Sequence, residues 1–163
     1  MRIRYAIGAS MLAWGLVACG NGASTGPAAQ AAATPEPAAR LERFATANPD
    51  FPFSKAVRVG DVVFVSGQIG LDGERRLAED FQVQARQTMD NLKADVESIG
   101  LSMDDLVKCT LMLADMSRWA EFNEIYRTYF SPDQLPARSA FGANGLALGA
   151  QVEIECIAAA RHG

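Results

Sequence analysis

Short runs of hydrophobic residues, many of them β-branched, recur along the chain after residue 41 and predict strands. The segments 56–59 and 62–69 are two such runs, and Gly60 and Asp61 between them predict a β-hairpin turn. Every residue from 62 to 65 is apolar, so we expect this strand to be central and covered on both faces. Later runs predict strands at 107–113, 138–143 and 151–160.

Two segments have the periodicity of amphipathic helices. Between residues 79 and 99 the apolar positions recur at spacings of three and four, and Gly100 predicts the end of this helix. Ser102 and Asp105 then form a potential capping box over a short turn. A second helix is predicted to begin after Ser117 as N-cap and to place an aromatic stripe in the core: Trp119, Phe122, Tyr126 and Phe130.

The order of these elements predicts an α+β fold. Paired strands with two helices between them favour one mixed sheet that carries both helices on one face. The strands at 138–143 and 151–160 are joined by a glycine-rich segment and are expected to form a hairpin. Since the chain provides no third layer, the simplest cover for the other face of the sheet is subunit association.

The N-terminal segment has the layout of an exported lipoprotein. Residues 1–19 comprise a basic start, an apolar run too short to span a membrane, and Leu16-Val17-Ala18-Cys19, which resembles a bacterial lipobox. We therefore expect residues 1–19 to be a signal peptide and Cys19 to carry the lipid that anchors the protein. The alternative is an ordinary cleaved leader with an incidental cysteine.

The next segment, residues 20–40, is rich in Ala, Pro and Gly and predicts a disordered tether, so the folded domain should span residues 41–163. By resemblance to lipoprotein sorting rules, Gly20 after the lipidated cysteine favours the outer membrane. The expected location is thus the cell envelope of a Gram-negative-type bacterium, on the periplasmic side. Membrane contact should occur only through the N-terminal lipid.

Composition narrows the chemistry. The 163 residues include 49% hydrophobic positions, enough for one domain, and carry 15 basic and 19 acidic residues, a net charge of -4. Removing Arg2 and Arg4 with the leader leaves 13 basic against 19 acidic residues, a net charge of -6, which argues against a nucleic acid partner.

The cysteines and the histidine offer no metal site. Cys19, Cys109, Cys156 and His162 are too scattered to form a ligand cluster. Cys109 and Cys156 each lie in an apolar strand-like run, so we expect two buried thiols that act as small hydrophobic side chains. A disulfide between them remains open, because the sequence does not give their separation in space.

The segment from Leu135 to Glu155 carries the candidate chemistry. Pro136 disfavours helix before it, so Arg138 should enter an extended segment, and alternation along the last strand puts Glu153 and Glu155 on one face. A guanidinium fork suits a small carboxylate, and a nearby glutamate could position a water molecule. This combination points to chemistry on a small acid.

Five blocks of sequence resemble the reactive-intermediate deaminase family, RidA, also called YjgF. They lie at residues 51–57, 64–69, 122–126, 136–139 and 152–155, and the resemblance covers about residues 41–161. It implies a chorismate-mutase-like α+β fold and a homotrimer with ligand clefts between subunits. It also implies hydrolysis of reactive 2-imino or enamine acids, such as 2-iminobutanoate and 2-aminoacrylate, to 2-keto acids and ammonia, without a metal or organic cofactor.

The resemblance also implies roles for individual residues. Arg138 would bind the substrate carboxylate and Glu153 would orient and activate the water. Ser66 and Gly67 would contact the substrate, and Asn123 would line the cleft. The carbonyl of Ala140 would help to hold the water.

Three positions depart from the family pattern. Phe53 stands where the family commonly has a tyrosine, so a substrate-contacting hydroxyl is missing. Ala140 replaces a cysteine, which matters little if only its carbonyl acts. The pair Leu146-Ala147 replaces a Leu-Pro pair of the family.

Each site residue also has a structural interpretation. Arg138 could pair with an acidic side chain on the surface, Glu153 could belong to an ordinary half-solvated strand face, and Ser66 could simply end a strand. At the level of the whole protein, the alternative to an enzyme is a trimeric protein that binds small carboxylic acids without turnover.

Overall fold

The computed structural model of the protein describes residues 40–160. The predicted signal peptide, Cys19 and nearly all of the predicted tether lie outside the described residues. The described elements are strand β1 (Leu41–Phe44), β2 (Ala56–Val59), β3 (Val62–Ile69), helix α1 (Phe81–Ser98), β4 (Leu106–Leu113), α2 (Trp119–Tyr126), β5 (Ala137–Gly142) and β6 (Val152–Ala159).

The six strands form one mixed sheet in the order β1-β2-β3-β6-β4-β5. Only β4 and β5 pair in parallel, and all other neighbours are antiparallel. Both helices pack against the sheet around one hydrophobic core. The predicted α+β sheet with two helices on one face is confirmed.

Helix α1 follows its sequence signals. The Asp80 side chain caps its N-terminus by accepting a hydrogen bond from the backbone N–H of Val83 at 3.0 Å. The helix is followed by Gly100, whose positive φ of 79° satisfies the turn there. The buried face of α1 includes Ala85, Met89, Leu92 and Val96, which lie at the predicted helical spacing. The described residues contain no helix that is long and apolar enough to cross a bilayer.

Helix α2 begins differently from the prediction. The N-cap prediction for Ser117 is wrong, because Ser117 lies in a 3₁₀ turn, Met116–Arg118, which Asp115 caps. Phe122 and Tyr126 are buried as expected, but Trp119 is 45% exposed. Trp119 is the first residue of the helix, ahead of the turn that packs on the sheet, so it does not reach the core.

The prediction of a hairpin between the last two strands is also wrong. Strand β4 lies between β5 and β6, and β6 occupies the position between β3 and β4. Strand β5 runs parallel to β4 and therefore needs a crossover connection, which α2 provides. Strand β1 was not expected, because its short sequence, Leu41–Phe44, is largely exposed and lacks an apolar run.

Cys109 and Cys156 form a disulfide, so the expectation of two free buried thiols is wrong. The two residues face each other across β4 and β6, with Cα atoms 4.1 Å apart, and both are buried. They are 47 residues apart in sequence, and only the pairing of β4 with β6 brings them together.

One face of the sheet remains uncovered in a single chain. Side chains that face the helices, such as those of Val63 and Ile154, are buried, whereas Phe64 on the opposite face is 49% exposed. Val62 and Phe141 are exposed on this same face. Subunit association as its cover stays a prediction.

Candidate active site

The residues expected to form the site lie in two separate regions of the structure, a groove that contains Glu153 and a cluster around Arg138. Phe53, Ser66, Gly67 and Glu153 line one open groove with a volume of about 850 Å³. Arg138 lies outside this groove, on β5, with Asn123 and Ala140.

A β-bulge shapes the inner part of the groove. The pairing of β3 with β6 shifts between Val65 and Gln68, so Ser66 and Gly67 leave the regular ladder. The Ser66 hydroxyl donates a hydrogen bond to the carbonyl of Ser54 at 2.7 Å, which ties β3 to the segment that carries Phe53. Ser66 therefore lies within a strand and does not end one.

Gly67 provides the space for the Glu153 carboxylate. A Cβ atom at position 67 would lie 2.3 Å from Oε1 of Glu153, closer than atoms can approach. A side chain at position 67 would therefore displace the Glu153 carboxylate, whereas the backbone conformation of Gly67 does not itself call for glycine. The glycine thus leaves room for the carboxylate directly beside the bulge.

Burial raises the pKa of the Glu153 carboxyl, and the negative charge of Glu155 raises it further. Glu153 and Glu155 lie on the uncovered face of the sheet. Along β6 they alternate with Val152, Ile154 and Cys156, which are buried on the opposite face. A carboxyl with a raised pKa gives up and takes back a proton more readily near neutral pH, which suits an acid-base group.

A polar cluster next to Glu153 was not predicted from the sequence. Asp95 on α1 accepts a hydrogen bond from Gln68 Nε2 at 3.0 Å and forms an ion pair with Lys55 Nζ at 3.5 Å. Lys55 also donates to the Ser98 hydroxyl at 3.1 Å. The Lys55 charge is therefore balanced within the protein.

An aromatic stack forms another wall of the groove. The rings of Phe51 and Phe53 stack with centroids 5.2 Å apart, and the Arg75 guanidinium lies 5.0 Å from the centroid of Phe51. Phe53 was expected at the site from the sequence, whereas Phe51 and Arg75 were not. The available signal was the Phe51-Pro52-Phe53 triplet, whereas nothing in the turn around Arg75 indicates its contact.

Arg138 is held by two side chains of α2. Its Nη2 donates a hydrogen bond to Asn123 Oδ1, and its guanidinium lies over the Tyr126 ring, 4.3 Å from the centroid. Burial lowers the pKa of Arg138 and raises that of Tyr126 to about 12. Arg138 forms no ion pair with an acidic side chain among residues 40–160.

Two buried polar atoms in this second place have no hydrogen-bond partner among the described residues. They are Nη1 of Arg138 and the hydroxyl of Tyr126. A buried donor without a partner is costly, which favours a ligand or another chain supplying an acceptor. Because the chain itself covers Nη1, a carboxylate would reach this atom only after the Arg138 side chain shifts.

A single chain does not bring Arg138 and Glu153 together. Arg138 pairs with buried Cys109 in the register of β4 and β5, so it lies on the helix-covered face of the sheet, and Ala140 shares that face. Glu153 lies on the opposite face, and β4 separates the two strands. The two groups could act on one molecule only if a second copy provided one of them.

The groove offers acid-base and apolar groups rather than metal ligands. No group of three or more His, Cys, Asp or Glu side chains within residues 40–160 could hold a metal ion. The chemistry available is therefore that of a positioned carboxylate next to an exposed apolar wall.

Comparison with known proteins gives a consistent picture. The profile of the family described as "Endoribonuclease L-PSP" matches residues 44–160. The chain is 41% identical over 109 residues to a RutC family protein of Aquifex aeolicus, covering 66% of this chain and 87% of that protein.

Two further relatives have more specific names. The chain is 41% identical over 109 residues to the 2-iminobutanoate/2-iminopropanoate deaminase of Mus musculus, covering 66% of this chain and 80% of the mouse protein. The crystal structure of RidA from the Antarctic bacterium Psychrobacter sp. PAMC 21119 superposes with a TM-score of 0.64 at 37% identity, covering 76% of this chain and 99% of that one.

Proposed function

The chain belongs to the RidA (YjgF) family, described as Endoribonuclease L-PSP, and we propose that it hydrolyses reactive 2-imino and enamine acids to 2-keto acids and ammonia. The observation that carries this proposal is the Glu153 carboxyl, held against Gly67 in an open groove with a raised pKa. The similarity to the mouse 2-iminobutanoate/2-iminopropanoate deaminase supports the choice of substrate class.

The proposed reaction adds water across a carbon–nitrogen double bond. A protonated imine is already electrophilic at C2, so the protein has mainly to position the two reactants. Glu153 takes a proton from water as the water oxygen bonds to C2. It then returns the proton to the nitrogen, and as the C–N bond breaks it accepts the proton of the new hydroxyl group, so that the carbonyl forms and ammonia leaves. In this scheme Ser66 and Gly67 contact the substrate, and the carbonyl of Ala140 from a second copy, which lies on the same strand as Arg138, helps to hold the water.

The carboxylate of the substrate is bound by Arg138 of a second copy in this proposal. The two faces of the sheet separate Arg138 from Glu153 within one chain, and Nη1 of Arg138 has no partner among the described residues. The exposed apolar side chains on the Glu153 face support association of copies there. We propose a homotrimer, the usual state of the family, with the reaction in clefts between subunits and Asn123 holding Arg138.

The proposed location is the bacterial cell envelope, with the domain on the periplasmic side and attached to the outer membrane through lipidated Cys19. The lipobox-like sequence supports the anchor. The disulfide between Cys109 and Cys156 supports the location, because disulfides form and persist mainly in oxidising compartments.

The experiment that tests the reaction is a coupled assay. An amino-acid-derived imine such as 2-iminobutanoate is generated in solution, and its conversion to 2-ketobutyrate is followed with and without the protein. We expect faster conversion with the wild type and about a 100-fold loss of kcat/KM in Arg138→Ala, because a half-buried charge partner of the carboxylate is removed. Arg43→Ala, at an exposed position of β1, is the matched control and should keep full activity.

A second function is a protein that binds small carboxylic acids without turnover. It is favoured by the same half-buried Arg138, whose guanidinium has no acidic partner among residues 40–160 and suits a carboxylate whether or not chemistry follows. The expected envelope location also favours it, since enzymes that release such imines are mostly cytoplasmic. Calorimetric titration with 2-ketobutyrate alongside the assay separates the two, since binding without turnover identifies the binding protein.

Ribonuclease activity, which the family description names, receives no support from the charges of this chain. Its formal net charge is -4, and it contains no run rich in lysine or arginine that could follow a phosphate backbone. We therefore do not propose it.

A further inference from the structure

The groove extends well beyond Glu153, the proposed acid-base group. Its lining includes Phe51, Phe53, Leu71 and Leu148, and its volume is about 850 Å³. Phe53 is 51% exposed and Leu148 is 72% exposed. The two-carbon side chain of 2-iminobutanoate is too small to cover this wall, and exposed apolar area of this kind favours a larger apolar ligand.

The aromatic wall begins next to the reaction site. Gly67 touches Glu153, and the neighbouring Ser66 is hydrogen-bonded to the carbonyl of Ser54. Phe53 precedes Ser54 directly and stacks on Phe51, which in turn lies beneath Arg75. A substrate whose C2 lies at Glu153 could therefore direct its side chain along this wall.

Unfavourable backbone conformations coincide with the same groove. Among the described residues, only Arg75 and Leu148 combine a side chain with a positive φ, of 62° and 57°, and both line the groove. A non-glycine residue in this region costs about 1–3 kcal/mol and is typically kept near a functional site. Two such residues around one groove add backbone strain to the reasons for assigning this groove to a ligand.

We propose that this wall binds the side chain of the substrate, and that the protein prefers 2-imino acids with an aromatic side chain over 2-iminobutanoate. The substrate ring stacks on the exposed Phe53, whose lack of a hydroxyl keeps this end of the groove apolar. Phe51 and Arg75 extend the stack behind it. The inference rests on the proposed deaminase function and adds its substrate class.

The test compares two imines made by an amino-acid oxidase from L-phenylalanine and from L-2-aminobutyrate. We expect the wild type to show at least about a 10-fold higher kcat/KM for the aromatic imine, from stacking and burial of one ring. Phe53→Ala should lower this ratio about 3- to 10-fold by removing the stacking partner. Leu148→Ala should lower it in the same direction, and its high exposure leaves the fold intact.

A control variant and a binding measurement separate the possible failures. Val83→Ala removes an exposed apolar side chain of α1 outside the groove and should leave the ratio unchanged. In calorimetry the keto acid phenylpyruvate should bind more tightly than 2-ketobutyrate, and Phe53→Ala should reduce this difference. Absence of turnover with this binding difference intact would reject the deaminase function and keep the assignment of the wall as a site for an aromatic side chain.

Two results overturn the inference. One is equal kcat/KM for both imines together with equal binding of both keto acids by the wild type. The other is a Phe53→Ala protein that dissociates in sedimentation experiments and keeps the substrate ratio of the wild type, because the wall would then be a subunit contact.

Discussion

The carboxylate of Glu153 occupies the space that any side chain at position 67 would need. The position of this carboxylate therefore depends on the absence of a Cβ atom at Gly67 in the neighbouring strand as much as on the conformation of Glu153 itself. The bulge at Ser66 and Gly67 brings that space to the groove. At the scale of single residues, the site is sensitive to changes that add very little volume.

We predict that Gly67→Ala abolishes most of the deaminase activity while the protein stays folded. The new Cβ would lie 2.3 Å from Oε1 of Glu153, so the carboxylate must move away from its position at the bulge. Gly73→Ala is the matched control, because a Cβ there has no neighbour within 4 Å. Activity is measured in the coupled assay and folding by circular dichroism, and full activity in Gly67→Ala would contradict the proposed position of the base.

The pH dependence of the reaction should report on Glu155. Glu153 acts in its charged form, so the rate should rise with pH as Glu153 loses its proton, and its raised pKa places this rise above the usual range of a glutamate. Glu155→Gln removes a negative neighbour, lowers the pKa of Glu153 and should shift the rise of kcat/KM to lower pH. Glu124→Gln, at an exposed position on α2, should leave the profile unchanged; a shift to higher pH in Glu155→Gln would contradict the assignment.

The sequence predicts the contents of the site only in part. Phe53, Ser66, Gly67 and Glu153 were expected through the family resemblance, and they do line one groove. Arg75 could not be expected, because its contact with Phe51 depends on a left-handed turn that leaves no periodic signal. Tyr126 was assigned to the core and is buried, but its ring also carries the Arg138 guanidinium.

At the scale of elements, local signals and long-range pairing differ in how well they can be predicted. The hairpin of β2 and β3 and helix α1 follow from neighbouring residues, and both were predicted. The placement of β6 between β3 and β4 depends on strands distant in sequence, and the hairpin expected between β5 and β6 was wrong. The same limit applies to Cys109 and Cys156, whose proximity depends on that pairing.

The disulfide should contribute strongly to stability. Closing a loop with a sequence separation of 47 residues stabilises a fold by about 4 kcal/mol in the chain-entropy treatment. We expect the double variant Cys109→Ala/Cys156→Ala to melt roughly 10–20 °C below the wild type under non-reducing conditions. Denaturation in the presence of reductant should lower the melting temperature of the wild type and leave that of the double variant unchanged.

Equal melting temperatures of the wild type with and without reductant would contradict this prediction. Alkylation with iodoacetamide after denaturation provides an independent check, because bonded cysteines do not react. Mass spectrometry should then find Cys109 and Cys156 unmodified unless reductant was added first.

At the scale of the whole molecule, the site is divided between the two faces of the sheet. Arg138 lies on the helix side and Glu153 on the uncovered side, so assembly is part of the proposed mechanism. The sequence predicted that the second face needs a cover, and the exposed Val62, Phe64 and Phe141 agree with that need. It could not predict which copy faces which, because pairing between chains leaves no pattern within one chain.

We predict that two inactive variants restore activity when they are co-expressed. Arg138→Ala subunits keep Glu153, and Glu153→Gln subunits keep Arg138, so a cleft formed by one of each contains both groups. Random assembly of a closed ring would give about a quarter of the wild-type clefts. Activity is compared with each variant alone and with a mixture of the separately assembled variants, and no recovery on co-expression would reject a shared cleft.

The bond between Cys109 and Cys156 also closes a covalent ring that contains α2, β5 and Arg138. Residues 131–135, which connect α2 to β5, are exposed and lie within this ring. A protease that cuts there produces two polypeptides that remain joined, so they should migrate as one band on a gel without reductant and separate only when reductant is added. In an oxidising compartment, a single cut in this connection would leave Arg138 tethered to its own sheet.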